Sequence, residues 1–348
     1  MIIDPNVTEW FNLIARWTHV FAAIMWVGST YYFTWLDGRL TEEEKAGAGT
    51  SEPAQVWMVH SGGFYVVEKR KKPGPRELHW FRWEAALTWL SGIVLLIHGY
   101  YMGSYLIDTD VRDISQWTGI AIGVGLLIVA WIVYDLLVVS PLGRNELLFA
   151  AISYALIVGV AYGLTHVLSG RAAYIHVGAM FGTIMVANVW MRILPAQRRM
   201  IAATRKLAAT TTKQCPKCNR TYSDESLTFC LADGALLSAP QDAQATAQNL
   251  APRNTNDAPT EVFPSNLVAD SQTAAASSQA TSEAAFNSTL AARAKLRSKH
   301  NTFMAVPVVF MMISNHYPVT TYGHDYNWIV LSIVVLLGWG AAKIIRRA

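Results

Sequence analysis

Nine histidines and three cysteines carry most of the chemistry open to this chain of 348 residues. Five of the histidines, His19, His98, His166, His176 and His316, lie in or beside long apolar runs. An ionisable side chain is expensive there and is by default a functional-site candidate. Neutral imidazole is a good axial ligand for haem iron, and facing helices of a bundle are where such sites are built. One or two b-type haems are the sharp reading, with the deeper pair, His19 and His98, as first-choice ligands and His166 and His176 behind them. Copper suits the same donors. The plain alternative is that each histidine bonds a neighbouring helix or sits among lipid headgroups. For His166, His176 and His316, snorkelling and substrate contact are both open. Arg16 stands one turn from His19, placed to meet a haem propionate, an anionic substrate or a lipid phosphate. His19, Ala23 and Trp26 share one helical face, and Gly28 is expected to let a neighbour or a macrocycle approach closely. With Asn315, which reads equally as an interhelical hydrogen bonder, His316 and Arg16 make up the candidate catalytic set.

All three cysteines fall within 213–237, KQCPKCNRTYSDESLTFCLADGALL. Cys215 and Cys218 form a CxxC pair, and Cys230 follows with Asp233 three residues on. Two thiolates on a knuckle, a third thiolate and a carboxylate can complete a tetrahedral zinc site. Asp233 reads equally as a turn residue in Ala-Asp-Gly. Cys218 is followed by Asn219 rather than histidine, which excludes c-type haem attachment, and no βαβ pattern surrounds the pair to suggest a thioredoxin-like role. Three clustered cysteines rule out a disulfide framework and point to a reducing compartment. The expectation is a zinc-ribbon-like knuckle, structural or partner-binding.

The elements that must position these groups are membrane spans. Hydrophobic residues make up 52%, charged residues only 15%, and there are 13 tryptophans. Apolar runs at 117–139, 147–168 and 328–344 approach or exceed the roughly 20 residues that cross a bilayer. The expected fold is an all-α integral membrane bundle of about seven spans, near 10–36, 80–107, 115–140, 146–168, 171–194, 301–317 and 327–345. The N-terminus is acidic and its first apolar run is long enough to span, so no cleavable signal peptide is expected. The sixth span, within SKHNTFMAVPVVFMMISNHYP, carries a His-Asn pair at each end and Pro307 inside, where a membrane helix tolerates the lost hydrogen bond. Asp135, near the inner end of the third span, is expected to pair with Arg144 as an interfacial acid, with a proton-relay carboxylate as the other reading.

Lysine and arginine crowd the loop between spans one and two, the long segment before span six and the C-terminus. The opposite loops carry almost none. The net charge of +4 is therefore a topology signal rather than a mark of nucleic-acid binding. It puts the N-terminus outside and the C-terminus in the cytoplasm. Spans one to five occupy 1–200 and spans six and seven 298–348. Between them lie the knuckle, 213–237, and a stretch at 238–292 that is poor in apolar and aromatic residues and reads as a disordered tether. A tight turn at Ser61-Gly62-Gly63 reads as exposed.

RWTHVFAAIMWVGSTYYF, VHSGGFYVVEK, ELHWFRWEAALTWLSG and HNTFMAVPVVFMMISNHYP together resemble the membrane domain of bacterial cytochrome c-linked urate oxidases (urate hydroxylases). The resemblance covers about 8–200 and 297–345. It implies oxidation of urate to 5-hydroxyisourate in the bacterial inner membrane, with electrons leaving to cytochrome c. In that family a periplasmic cytochrome c domain follows the membrane domain. No CxxCH occurs in these 348 residues, so the expected acceptor is a separate cytochrome c. The second reading, from another class, is a non-catalytic membrane module whose cytoplasmic zinc knuckle recruits a partner.

Overall fold

The structure is a computed structural model that describes residues 5–47, 53–70, 78–211, 213–222, 227–232, 234–237 and 266–346. It is mostly helical. Helix α1 (Pro5–Ala46) leads into a hairpin of β1 (Gln55–His60) and β2 (Gly63–Glu68). Then come α2 (Trp83–Leu96), α3 (Gln116–Val139), α4 (Glu146–Thr165), α5 (Gly170–Ala187) and α6 (Leu194–Thr211). A second small hairpin pairs β3 (Lys213–Gln214) with β4 (Thr221–Tyr222), and α7 (Asn266–Ile313) and α8 (Asn327–Ile345) close the chain. The chain divides into two units: 1–69, 78–194 and 295–348 form one, and 70–77 with 195–294 form the other.

Two expectations change here. The loop at 37–79 is not wholly irregular: α1 runs on to Ala46, and Ser61 and Gly62, both at positive φ, make the type I′ turn that suits a two-residue hairpin. The fold is therefore helical with small β additions rather than all-α. The stretch read as a disordered tether is helical from Asn266 onward. Its alanines are the strongest helix formers, and the same absence of apolar side chains that argues against a packed core does not argue against a helix. Residues 238–265 of that stretch lie outside the described residues.

Among the described residues, four helices are long and apolar enough to cross a membrane: Gln116–Val139, Glu146–Thr165, Gly170–Arg205 and Asn327–Ile345. The starts of the first three are capped by side chains, as their sequences dictate. Ser115 accepts from the Thr118 amide, Asn145 from Leu147 and Leu148, and Ser169 from Ala172. Large apolar side chains face outward, with Leu147 at 81% and Val139 at 76% exposure. In water these would be sticky patches; against lipid tails they cost nothing.

Ring contacts and hydrogen bonds fix the helix directions. Phe11 lies on His98 and Phe33 on Phe81, so α1 and α2 run antiparallel. Tyr162 meets Trp328 and Tyr154 meets Trp339, so α4 and α8 do the same. Helix α5 is the centre of this unit: Ala172, Ala173, Tyr174, Val177, Met180, Phe181, Ile184 and Met185 are all buried. Pro307 of α7 is accommodated by Gly338 of α8, where an added Cβ would stand 2.8 Å from the proline ring.

At one end of the unit a buried polar network ties α3, α5 and α7 together. Arg297 is 5% exposed and donates to Asp135 Oδ1 at 2.6 Å and to Asn188 Oδ1 at 3.1 Å. Arg192 makes a two-pronged pair with the same carboxylate. Asn188, fully buried at the start of a π-helical turn over Asn188–Ile193, donates to Tyr134 Oη and to Asn301 Oδ1. Asn301 donates in turn to the Met185 carbonyl, and Tyr134 bonds His300. The partners of Asp135 are thus Arg192, from the π turn after α5, and Arg297 of α7, not the expected Arg144. Asp135→Ala strands the Arg297 charge and is expected to destabilise this unit by about 3–5 kcal/mol, against near zero for Arg144→Ala. Thermal unfolding in detergent checks both.

Candidate functional site

The histidines sort by what holds their ring nitrogens. His19, on α1, places Nδ1 at 2.9 Å from the Thr88 carbonyl of α2 and 3.2 Å from Ser91 Oγ. A carbonyl only accepts, so in the neutral ring Nδ1 carries the proton and Nε2 keeps a lone pair. This is the arrangement that orients a metal-ligating histidine. Gly92 makes the approach possible: a Cβ there would lie 2.9 Å from His19 Cε1. The close approach of α1 to a neighbour therefore falls on Gly92 of α2 rather than on Gly28, around which an added Cβ meets nothing within 4 Å.

His98 sits in a π-helical turn, Ile97–Tyr101, that extends α2. Its ring lies 5.6 Å from that of Phe11, and its Nδ1 is buried with no partner among the described residues. Phe11, which the His98 ring meets, and His19 are eight residues apart on α1, about 12 Å along the axis.

His176 is fully buried and occupied on both sides. Nδ1 donates to the Ala172 carbonyl at 2.8 Å, and Nε2 accepts from Tyr101 Oη at 3.2 Å. A Cβ on Gly123 would stand 2.6 Å from Nε2, so α3 closes that edge of the ring. His166 caps α4, is exposed and bonds the Tyr162 carbonyl at 2.7 Å. His316 is exposed in the short turn after α7, and Arg16 is exposed on α1. Asn315 donates to Tyr100 Oη at 3.2 Å, while its Oδ1 is buried with no partner among the described residues.

A cavity of about 390 Å³ opens at this same end, beside the loop after α2 and the first turn of α5. Its wall includes Ser104, Tyr105, Asp108, Ser169 and Arg171. Arg171 lies 4.4 Å over the Tyr105 ring, and its Nε is buried with no hydrogen-bond partner among the described residues. Ser169 caps α5 and also donates to the Tyr105 carbonyl at 2.6 Å, which pins the loop to the helix start. A guanidinium, a helix N-terminus and an aromatic face together suit a small planar anion. Arg171 is not among the residues singled out from the sequence; its signal there is a lone arginine in the Ser-Gly-Arg turn that leads into an apolar run.

In the other unit, the sulfurs of Cys215, Cys218 and Cys230 all lie within 4.8 Å of one another. Asp233 is outside the described residues.

The Urate oxidase N-terminal family profile matches residues 5–229 and 266–346. The chain belongs to this family. Comparison with the curated proteins and with the solved structures found no match. Membership supports a urate oxidase-like relation, and the four apolar helices are consistent with a place in a membrane.

Asn315, expected as a catalytic candidate, makes one neutral hydrogen bond at 3.2 Å, which is worth about 1 kcal/mol. Asn315→Ala is expected to lower stability by about that amount and to leave substrate turnover within a factor of two or three. A fall of a hundredfold or more at unchanged thermal stability would return Asn315 to the chemistry.

Proposed function

We propose that this family member oxidises urate, or a closely similar planar anion, at the Arg171 cavity and passes the electrons through haem b to a cytochrome c. Urate and one water give 5-hydroxyisourate, two protons and two electrons, so an electron acceptor is required. The family match supports the substrate class. The single structural observation that supports a resident haem is His19, whose Nδ1 hydrogen bond to the Thr88 carbonyl keeps Nε2 free to ligate. His98, with an unpartnered Nδ1, is the candidate for a second group. Haem bound at His19 would supply a one-electron acceptor between substrate and cytochrome c.

The chain's own part is positioning. Arg171 and the first turn of α5 hold the anion, the Tyr105 ring limits it to a planar shape, and the Ser104 hydroxyl offers it a hydrogen bond, while Ser169, which donates to the Tyr105 carbonyl, fixes the loop to the helix start. His176, with both nitrogens occupied, acts as a packing residue between α3, α5 and the turn after α2. The arrangement we infer has seven spans, α1 to α5, α7 and α8, in the bacterial inner membrane. The cavity then opens outward and the knuckle lies in the cytoplasm. The distribution of lysine and arginine supports that orientation.

An absorption spectrum of the purified protein tests the reading. A Soret band is expected, along with reduction of the chromophore on adding urate. His19→Gln is expected to remove the band and His176→Gln to keep it. Arg171→Ala, which removes the charged donor, is expected to raise KM for urate about 10–100-fold. A preparation with neither a Soret band nor bound iron overturns the haem assignment.

A further inference from the structure

The urate reading leaves the cysteine segment unused, and its backbone is informative. Residues 215–219, CPKCN, and 230–234, CLADG, contain the same turn made twice. In the first, the Asn219 amide donates to the Cys215 carbonyl at 2.9 Å; in the second, Gly234 donates to Cys230 at 2.9 Å. The Cys215 amide donates to the Arg220 carbonyl, and the Cys230 amide to Ala235, again the same register. The amide two residues after each of these cysteines points at its sulfur: Lys217 to Cys215 Sγ and Ala232 to Cys230 Sγ, both at 3.4 Å. Each turn ends on a left-handed residue, Asn219 at φ 57° and Gly234 at φ 69°, and asparagine and glycine are the residues that take this conformation readily.

Twin turns of this kind aim cysteine sulfurs from two directions at one point. Cys215 and Cys230 are buried at 0% and 3% exposure. Cys218 Sγ lies 3.5 Å from Cys230 Sγ, far beyond a disulfide bond of about 2.05 Å. Bonds of about 2.3 Å in a tetrahedron put neighbouring sulfurs roughly 3.8 Å apart. The cluster matches a single tetrahedral ion. An iron–sulfur cluster, whose cysteines bind different irons, needs wider spacing. Two backbone amides point at these sulfurs, and the Tyr222 hydroxyl lies 3.1 Å from Cys230 Sγ in the same cluster.

We propose that this segment binds one Zn²⁺ through Cys215, Cys218 and Cys230, with an oxygen as the fourth donor. By sequence position alone, Asp233 follows Cys230 at the same spacing as the ligand Cys218 follows Cys215, and it is the donor to test, although it lies outside the described residues. Three thiolates and a carboxylate on Zn²⁺ leave two negative charges, and Lys213, Lys217 and Arg220 in the same segment offset them. The proposal does not depend on the urate reading, because the site lies in the other unit and uses none of the residues assigned to substrate or haem.

Metal analysis of the full chain in detergent decides it. About one zinc per chain is expected, falling below a tenth in Cys215→Ser/Cys230→Ser with the visible spectrum of the membrane unit unchanged. Should that variant fail to express, the wild type still answers. After chelator stripping, Co²⁺ alone is expected to give the thiolate charge-transfer and tetrahedral d–d bands of a Cys₃O site, and Zn²⁺ to bleach them in a one-to-one titration. Asp233→Ala is expected to weaken Zn²⁺ binding at least tenfold, and Asp233→Cys to restore it. Iron or copper in place of zinc, or no cobalt bands, overturns the site. Unaltered Zn²⁺ affinity in Asp233→Ala overturns the fourth ligand.

Discussion

One buried cation organises the helical unit. Arg297 enters α7 nearly free of solvent contact, and an unpaired guanidinium there would cost several kcal/mol. Asp135 of α3 and Asn188, in the π turn after α5, meet it; Arg192 completes the carboxylate, Asn301 accepts from Asn188, and His300 bonds Tyr134. The packing of these three helices is tied to this end because few other placements satisfy all of those groups at once. The π-helical turn at Asn188–Ile193 is part of the same solution, since the extra residue swings Arg192 onto Asp135.

With that end locked, the opposite end is free to carry a cavity and less constrained histidines. The difference among those histidines lies in hydrogen bonding rather than depth. His176 is the most deeply buried and the least available, because Tyr101 and the bare backbone at Gly123 close its Nε2. His19 is only partly buried, yet a single backbone carbonyl on α2 sets its tautomer and leaves a lone pair open. Arg171 stands in the first turn of α5 over the Tyr105 ring with an Nε unpartnered among the described residues, whereas Arg16 is exposed on α1.

Much of this was written in the chain itself. Apolar runs of membrane length, the caps Ser115, Asn145 and Ser169, and the turn at Ser61-Gly62 are local features, and local features are read from neighbours in sequence. The motifs around His19 and in the sixth apolar run were specific enough to indicate the family that the profile match then established. The helix at 266–292 shows where composition misleads, because a polar, alanine-rich stretch without a core is compatible with helix as well as with disorder.

By itself, then, the sequence determined the helical class, the apolar segments, the family and the cysteine spacing, all of which depend on residues within a few turns of one another. Tertiary structure alone decided which residues meet across helices. It turned Asp135 from Arg144 to Arg297, moved the close approach from Gly28 to Gly92, set His98 beside Phe11, eight residues along α1 from His19, and brought Arg171 to the cavity wall. Such pairings depend on helix direction, rotation and the extra residue of a π turn, and none of these is encoded in the spacing of any single segment.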